Sequence, residues 1–254
     1  MKMLSICLAT HNGEKFIYET LKSIQNQTYT DFEVIIVDDY STDETVNIII
    51  ESFVKKDKRF KIYINNTDNT KPYADSHNKS YEYASGNLLF RVDQDNILHK
   101  DYLAFVVNAM NIHECDALCT YVTFFKYSNE LNFEKIEYIT NERMYADSNN
   151  FNKNNLYYVD YHYDSWFNQA SVIKRSFLIS HEECKFKFAK QGDILFWLSC
   201  LANKCKMVSI PDNIHMMHRI HDNNAFNDKI YNSILDQNSY TSYVNFLIKK
   251  IRSN

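Results

Sequence analysis

Four short, mostly apolar runs early in the chain narrow its architecture more than any other feature. They are "MLSICLA" (3–9), "FEVIIVDD" (32–39), "FKIYI" (60–64) and "NLLFRV" (87–92), each of strand length. Between them the period changes to helical. "GEKFIYETLKSIQNQ" spaces Phe16, Ile17, Thr20, Leu21 and Ile24 along one helix face. Ser41 with Glu44 has the form of a capping box ahead of a stripe of Val46, Ile49, Ile50, Phe53 and Val54. "DSHNKSYEYA" (75–84) reads as a helix stopped by Gly86. The order βαβαβαβ predicts an α/β fold: a mainly parallel sheet flanked by helices, with ligands in the crevice beyond the carboxyl ends of the strands. Thr10 to Asn12, Asp38 with Asp39, and Asp93 with Asp95 all fall at such ends.

The second half is less regular. "DALCTYVTFF" (116–125), "QASVIKR" (169–175) and "KMVSI" (206–210) read as strands and "GDILFWLSCLAN" (192–203) as a helix. Residues 126 to 165 show little periodicity and suit a segment covering a substrate, and Phe226 to Ile251 is mostly helical. A length of 254 residues fits one domain. We divide it into a first half (1–98), a second half (99–225) and a C-terminal helical tail (226–254).

Charge and composition exclude several classes of function. A net charge of −4 argues against general nucleic-acid binding, which favours a basic surface. With only Gly13, Gly86 and Gly192, the chain has neither a Walker loop nor a G-x-G-x-x-G turn, so a bound diphosphate needs a metal in their place. The six cysteines form no C-x-x-C pair and read as buried free thiols. No apolar run is long enough to span a bilayer, and the expected location is cytoplasmic. In the tail, Tyr240, Tyr243, Val244, Leu247, Ile248 and Ile251 form an apolar stripe beside Lys249, Lys250 and Arg252. That stripe suits either peripheral contact with an anionic membrane, at its inner face, or packing on the protein's own sheet.

"FRVDQDNIL" (90–98) carries the most pointed chemistry. If the strand runs through it, Asp93 and Asp95 share a face roughly 7 Å apart and repel unless a cation lies between them. A divalent ion on a nucleotide diphosphate satisfies both. The competing reading is a turn or helix start, and Asp38 with Asp39 likewise suits a turn.

The stretch "SICLATHNGEKFIYETLKSIQNQTYTDFEVIIVDDYSTDET" resembles the opening of inverting family 2 glycosyltransferases, whose first strand ends in T-x-N and whose second ends in V-D-D-x-S-x-D-x-T. The likeness continues through Asn78, "ASG", "VDQDN", Gly192-Asp193 and "HRIHDN". It implies a GT-A fold, a nucleotide-sugar donor and Mn²⁺ or Mg²⁺. Carried over by position, Thr10 and Asn12 shape the nucleoside pocket, Asp39 pairs with the base (uracil N3–H), and Asp38 lies beside the ribose. Asn78 belongs to the same nucleotide-sugar site, Asp93 approaches the ribose or sugar, Asp95 is the principal metal ligand, and His221 lies near metal and diphosphate. Asp193 matches the general base, although a helix-terminal acid is an equally ordinary reason for it. The implied reaction moves a hexose or N-acetylhexosamine from a UDP-sugar to a saccharide or lipid-linked saccharide, with bacterial surface polysaccharide as the product class.

There are departures from the pattern. Many relatives carry arginine where His77 stands, which leaves Lys71, Lys79 or Arg91 to hold the diphosphate, and Asn96 replaces a second acid after D-x-D. His215, His218 and His221 recur every third residue and would not share a strand face, so a three-histidine zinc site is not expected. The rival readings are a metal-dependent phosphohydrolase, which wants Thr or Val where Ile97 stands, and a non-catalytic nucleotide- or glycan-binding module.

Overall fold

The run at residues 3–9 becomes an inner strand whose register lays out the rest. In the computed structural model, which describes residues 3–65, 72–120, 122–126, 138–139, 171–187, 192–210, 216–221, 242–243, 245–247 and 249–251, β1 (Leu4–Thr10) lies parallel between β2 (Phe32–Asp38) and β4 (Leu88–Asp93). β3 (Phe60–Ile64) closes one edge beside β2. Beyond β4 the sheet continues through β9 (Ser171–Lys174), β6 (Ala117–Thr120) and β10 (Met207–Ile210), giving seven strands in the order β10-β6-β9-β4-β1-β2-β3. Only β9 runs antiparallel to its neighbours.

Three helices of the described residues follow the expected pattern, α1 (Ile17–Gln25), α3 (Pro72–Tyr83) and α6 (Gly192–Ala202), while α4 (Tyr102–Ile112) precedes β6 and the short α5 (Arg175–Ser180) follows β9. Alternation along the strands divides the core. Leu4, Ile6, Leu8, Val34, Ile36, Phe90 and Val92 face one side with Ile17, Leu21 and Ile24 of α1 and Val106 and Met110 of α4. Cys7, Ile35 and Leu89 face the other with Ala74 of α3 and Phe196, Trp197 and Cys200 of α6. Arg91 and Asp93, two and four residues after Leu89, therefore point toward the side covered by α6.

Three local expectations are corrected. The helix after β2 starts at Thr45 without a side-chain cap and, as α2 (Thr45–Ile49), runs into a π turn (Ile50–Val54), where Lys55 N–H reaches the Ile50 carbonyl. Ser41 does not cap it, because its hydroxyl is taken by Asp38. The run 116–125 is two strands: β6 joins the large sheet, whereas β7 (Val122–Lys126) joins a second sheet, order β5-β11-β7-β8, with β5 (Ile97–Leu98), β8 (Tyr138–Ile139) and β11 (Met216–Ile220). Gly86 is needed for close approach and has no positive φ: a Cβ there would stand 2.6 Å from Ser5 Oγ. Apart from Tyr138 and Ile139, the stretch 127–165 lies outside the described residues, as does all of 226–241.

Within the tail, Tyr243, Leu247 and Ile251 pack on Leu195, Leu198 and Ala202 of α6. These members of the stripe are occupied by a helix of the protein itself, neither by its sheet nor by a lipid-facing surface; Tyr240, Val244 and Ile248 have no described side chains. Among the described residues no helix is long and apolar enough to cross a membrane.

The end of the sheet away from the carboxyl edge is held by a buried carboxylate. Glu33 accepts hydrogen bonds from Ser5 Oγ (2.7 Å), Ser85 N–H (2.6 Å), Ser85 Oγ (2.7 Å) and Lys61 Nζ (2.8 Å). Burial alone would raise its pKa, but Lys61, Ser5 and Ser85 together bring it down to about 2. A folded-state pKa below the unfolded one adds stability that is complete above the ordinary carboxylate range and is lost as pH falls through the folded value. Glu33→Gln is expected to cost about 2–3 kcal/mol at neutral pH, with the gap to wild type closing between about pH 4 and pH 2. Urea denaturation of both proteins across that range checks it, and a gap independent of pH would contradict it.

Candidate functional site

Register brings three predicted residues to one edge. Thr10 stands opposite Asp38 in the β1–β2 ladder, and Ala9 stands opposite Asp93 in the β1–β4 ladder. The loop after β1 then turns through Asn12, at φ 47°, a left-handed conformation that asparagine tolerates better than most residues. Its backbone N–H donates to Ser41 Oγ (2.9 Å) and its Oδ1 accepts from Thr42 N–H (2.9 Å), so the loops after β1 and β2 are laced together. Asp38 is buried, and its two carboxylate oxygens accept from the Ser41 N–H (2.9 Å) and Ser41 hydroxyl. Its carboxylate thereby fastens the start of the loop after β2.

Asp39 is half-buried beside it. Its N–H donates to the Thr10 carbonyl (2.8 Å), its carbonyl contacts His11 Nδ1 (2.8 Å), and its Oδ1 accepts from Asn65 Nδ2 (3.0 Å). Asn65, at the end of β3, also reaches Ser76 Oγ (3.2 Å) and accepts from Lys79, both on α3. Lys79 is thus engaged with Asn65 in this structure.

β4 ends at Asp93, and Gln94 and Asp95 form a turn, so the period-two placement of the two carboxylates on one strand face does not hold. Each acid instead has its own partner. Arg91 Nη2 donates to both oxygens of Asp93 (2.9 and 3.0 Å), while His221 Nε2 lies 3.1 Å from Asp95 Oδ2. Burial lifts the Asp93 carboxyl above its ordinary pKa against the pull of Arg91, and the Asp95 charge adds to the rise. Gln94 occupies the variable position of D-x-D, which sequence reasoning passed over. Its Oε1 accepts from Thr10 Oγ1 and from His11 N–H (3.0 Å), and its Nε2 donates to the His11 carbonyl (3.2 Å). A Cβ on Gly13 would stand 2.5 Å from that Oε1, so glycine is what lets the amide enter.

His221 follows β11 and stacks obliquely on Phe16 (4.4 Å). The buried Arg219 stands over the other part of this aromatic support, 4.8 Å from the Phe16 ring centre, and pairs with Glu19. His218 Nδ1 meets Asn96 Oδ1 (2.9 Å) and is separate from the His221–Asp95 pair. Among the described residues no group of three or more His, Cys, Asp or Glu converges as a metal cage. Asp95 and His221 nevertheless suit two positions on one ion: ligands about 2.1 Å from an octahedral centre and at right angles to each other lie about 3 Å apart. Magnesium-type sites commonly use one or two protein ligands and complete the shell with phosphate and water.

Asp193 lies in the first turn of α6, partly exposed, with Oδ2 3.8 Å from Arg91 Nη1. Arg91 therefore lies between Asp93 and Asp193. Asn78 lies on α3. Its amide pairs with the backbone of Phe186, accepting from its N–H (2.9 Å) and donating to its carbonyl (2.8 Å). Phe186 stacks on Phe196 of α6 (4.6 Å, 2° between planes) and on His77 (5.2 Å). Asn78 thus ties α3 to the backbone at Phe186, while burial and the nearby Arg91 charge hold His77 well below its ordinary pKa.

Residues 5–175 match the family model described as glycosyl transferase family 2. Over 129 residues the chain is 35% identical to an Escherichia coli protein named UDP-Glc:alpha-D-GlcNAc-diphosphoundecaprenol beta-1,3-glucosyltransferase WfaP, covering 51% of this chain and 46% of that one. Among solved structures it resembles Staphylococcus aureus TarS residues 1–349 in complex with UDP, with a TM-score of 0.65 and 20% identity over 87% of this chain and 61% of that one. It also resembles the mannosyltransferase PcManGT of Pyrobaculum calidifontis in complex with GDP-Man and Mn²⁺, with a TM-score of 0.61 and 16% identity over 87% of this chain and 58% of that one. The chain thus spans about half to three-fifths of the length of these proteins, and the structural likenesses carry the fold.

Proposed function

Because the chain belongs to glycosyl transferase family 2, we propose that it is an inverting transferase moving a hexose or N-acetylhexosamine from a UDP-sugar to a hydroxyl of a saccharide or lipid-linked saccharide. The observation that carries this reading is the position of Asp193, one guanidinium away from Asp93, the carboxylate that ends β4 beside the edge where Thr10 and Asp38 stand opposite each other. A carboxylate there can receive the acceptor's proton as the acceptor oxygen bonds to the anomeric carbon. The bond from that carbon to the phosphate oxygen breaks, and its electron pair leaves with UDP. Relatives with matching names support the substrate class: the E. coli protein is named for a UDP-Glc donor and a diphosphoundecaprenol-linked acceptor, and TarS binds UDP.

Asp95 and His221 are the residues that would hold Mn²⁺ or Mg²⁺, which when bound neutralises the departing diphosphate. Thr10 and the Asn12 loop shape the nucleoside pocket, Asp39 presents a carboxylate to the base, and Asp93 borders the ribose or sugar. The phosphohydrolase reading has no support from the family match. Screening UDP-glucose, UDP-galactose, UDP-GlcNAc and UDP-GalNAc for Mn²⁺-dependent UDP release tests the proposal; absence of UDP binding together with release of inorganic phosphate would overturn it.

Asp39→Ala is expected to weaken UDP roughly 10-fold or more, the effect of losing a hydrogen bond to a charged group, with the fold intact because Asp39 is outside the apolar core. Calorimetric titration with UDP beside a melting curve checks this. Unchanged affinity would remove Asp39 from base recognition.

A further inference from the structure

Arg91 is a cation that the strand pattern alone would place in the core: it is 4% exposed, on the sheet face covered by α6. A buried guanidinium without counter-charges costs several kcal/mol, and two carboxylates from different elements supply them. Nη2 clasps both oxygens of Asp93, Nη1 faces Asp193 Oδ2 at 3.8 Å, and the guanidinium carbon lies 5.7 Å from the Phe186 ring centre. We propose that Arg91 is the positioning residue for the base, locking Asp193 of the acceptor side to Asp93 of the donor side in one rigid frame. The inference rests on the reading of Asp193 as the base.

The chemistry explains why two acids share one arginine. Asp193 loses its negative charge when it takes the acceptor proton, and at that moment Arg91 would be left bare if it had no second partner. The bidentate pair with Asp93 keeps the cation compensated throughout. Geometry matters as much. Asp193 sits on the first turn of a helix at a partly exposed position, where a carboxylate has freedom to swing toward water. A displacement of about 1 Å in a reacting group can cost on the order of 100-fold in rate. A guanidinium donates in two directions from one plane, and a lysine ammonium on a flexible stem does not reproduce that fork.

The test is a double-mutant cycle on the full chain: wild type, Arg91→Lys, Asp193→Asn and the double variant, each with Mn²⁺. UDP affinity is measured by calorimetry, and kcat and KM are measured by UDP release from the nucleotide sugar that wild type turns over. Arg91→Lys is expected to lower kcat about 10- to 100-fold with donor KM within about threefold, and to cost less than about twofold once Asp193 is already Asn. Arg91→Gln, a neutral donor, provides a second variant with the same expected pattern if lysine disturbs folding. A normal rate in Asp193→Asn alone would overturn the base reading and this proposal with it. A slow Asp193→Asn whose loss multiplies with that of Arg91→Lys would overturn this proposal alone, as would a raised donor KM at unchanged kcat, which would assign Arg91 to the diphosphate.

Discussion

Asp193→Asn is expected to lose roughly 100- to 10,000-fold in transfer rate, the range typical of removing a general base. The amide keeps the shape of the side chain and its place at the start of α6, yet it has no lone pair basic enough to take the acceptor proton. UDP and Mn²⁺ affinities should stay within about threefold of wild type, because the donor-side residues Asp39, Asp93, Asp95 and His221 stand on other elements. The α6 helix itself should be undisturbed, since Leu195, Phe196 and Leu198 are buried in the apolar clusters and Asp193 is not. Initial rates at saturating donor, with calorimetry of UDP on the same preparations, decide the matter. Near-normal transfer, or a product retaining the donor's anomeric configuration, would exclude direct displacement with Asp193 as base.

Asp95→Asn should produce the second large loss, and by a different route. Replacing the carboxylate removes the negative oxygen that faces His221 at 3.1 Å and leaves a neutral amide, a poor ligand for a hard divalent cation. The fall in Mn²⁺ affinity is expected to exceed the roughly 10- to 100-fold seen for outer-shell partners of metal ligands, and turnover should fall with it. Excess Mn²⁺ should restore part of the rate, which distinguishes this variant from Asp193→Asn, where added metal should do nothing. An Asp95→Asn protein with wild-type dependence on Mn²⁺ would remove Asp95 from the metal site.

Much of the donor half could be read from the amino-acid order, since each of its strands is an apolar run and each intervening helix carries a face of its own. Parallel strands joined by helices leave little freedom, so Thr10, Asp38 and Asp93 reach a common edge by register alone. The rest depended on contacts with no local signature. The antiparallel insertion of β9 between β4 and β6 reflects a return of the chain that the run "QASVIKR" does not encode. Asp95 and His221, 126 residues apart, meet only because β11 pairs with β5 just after the D-x-D turn. Gln94 and Asn65 were missed since one side-chain amide between ordinary neighbours looks like any surface residue until its partners are known. The carboxylate partners of Arg91 have no local signature either, since Asp193 lies 102 residues further along the chain.

The Asn78–Phe186 clasp has a bearing on how such a chain can diversify. Asn78 pairs with the N–H and carbonyl at position 186, groups that every residue except proline carries in the same form. The hydrogen bonds of this joint are therefore indifferent to the side chain at 186, whereas the buried Phe186 ring, set against Phe196 and His77, is not. A segment leading into α6 can therefore vary around this position only where it offers both a properly oriented peptide unit and a ring that fills the same buried space.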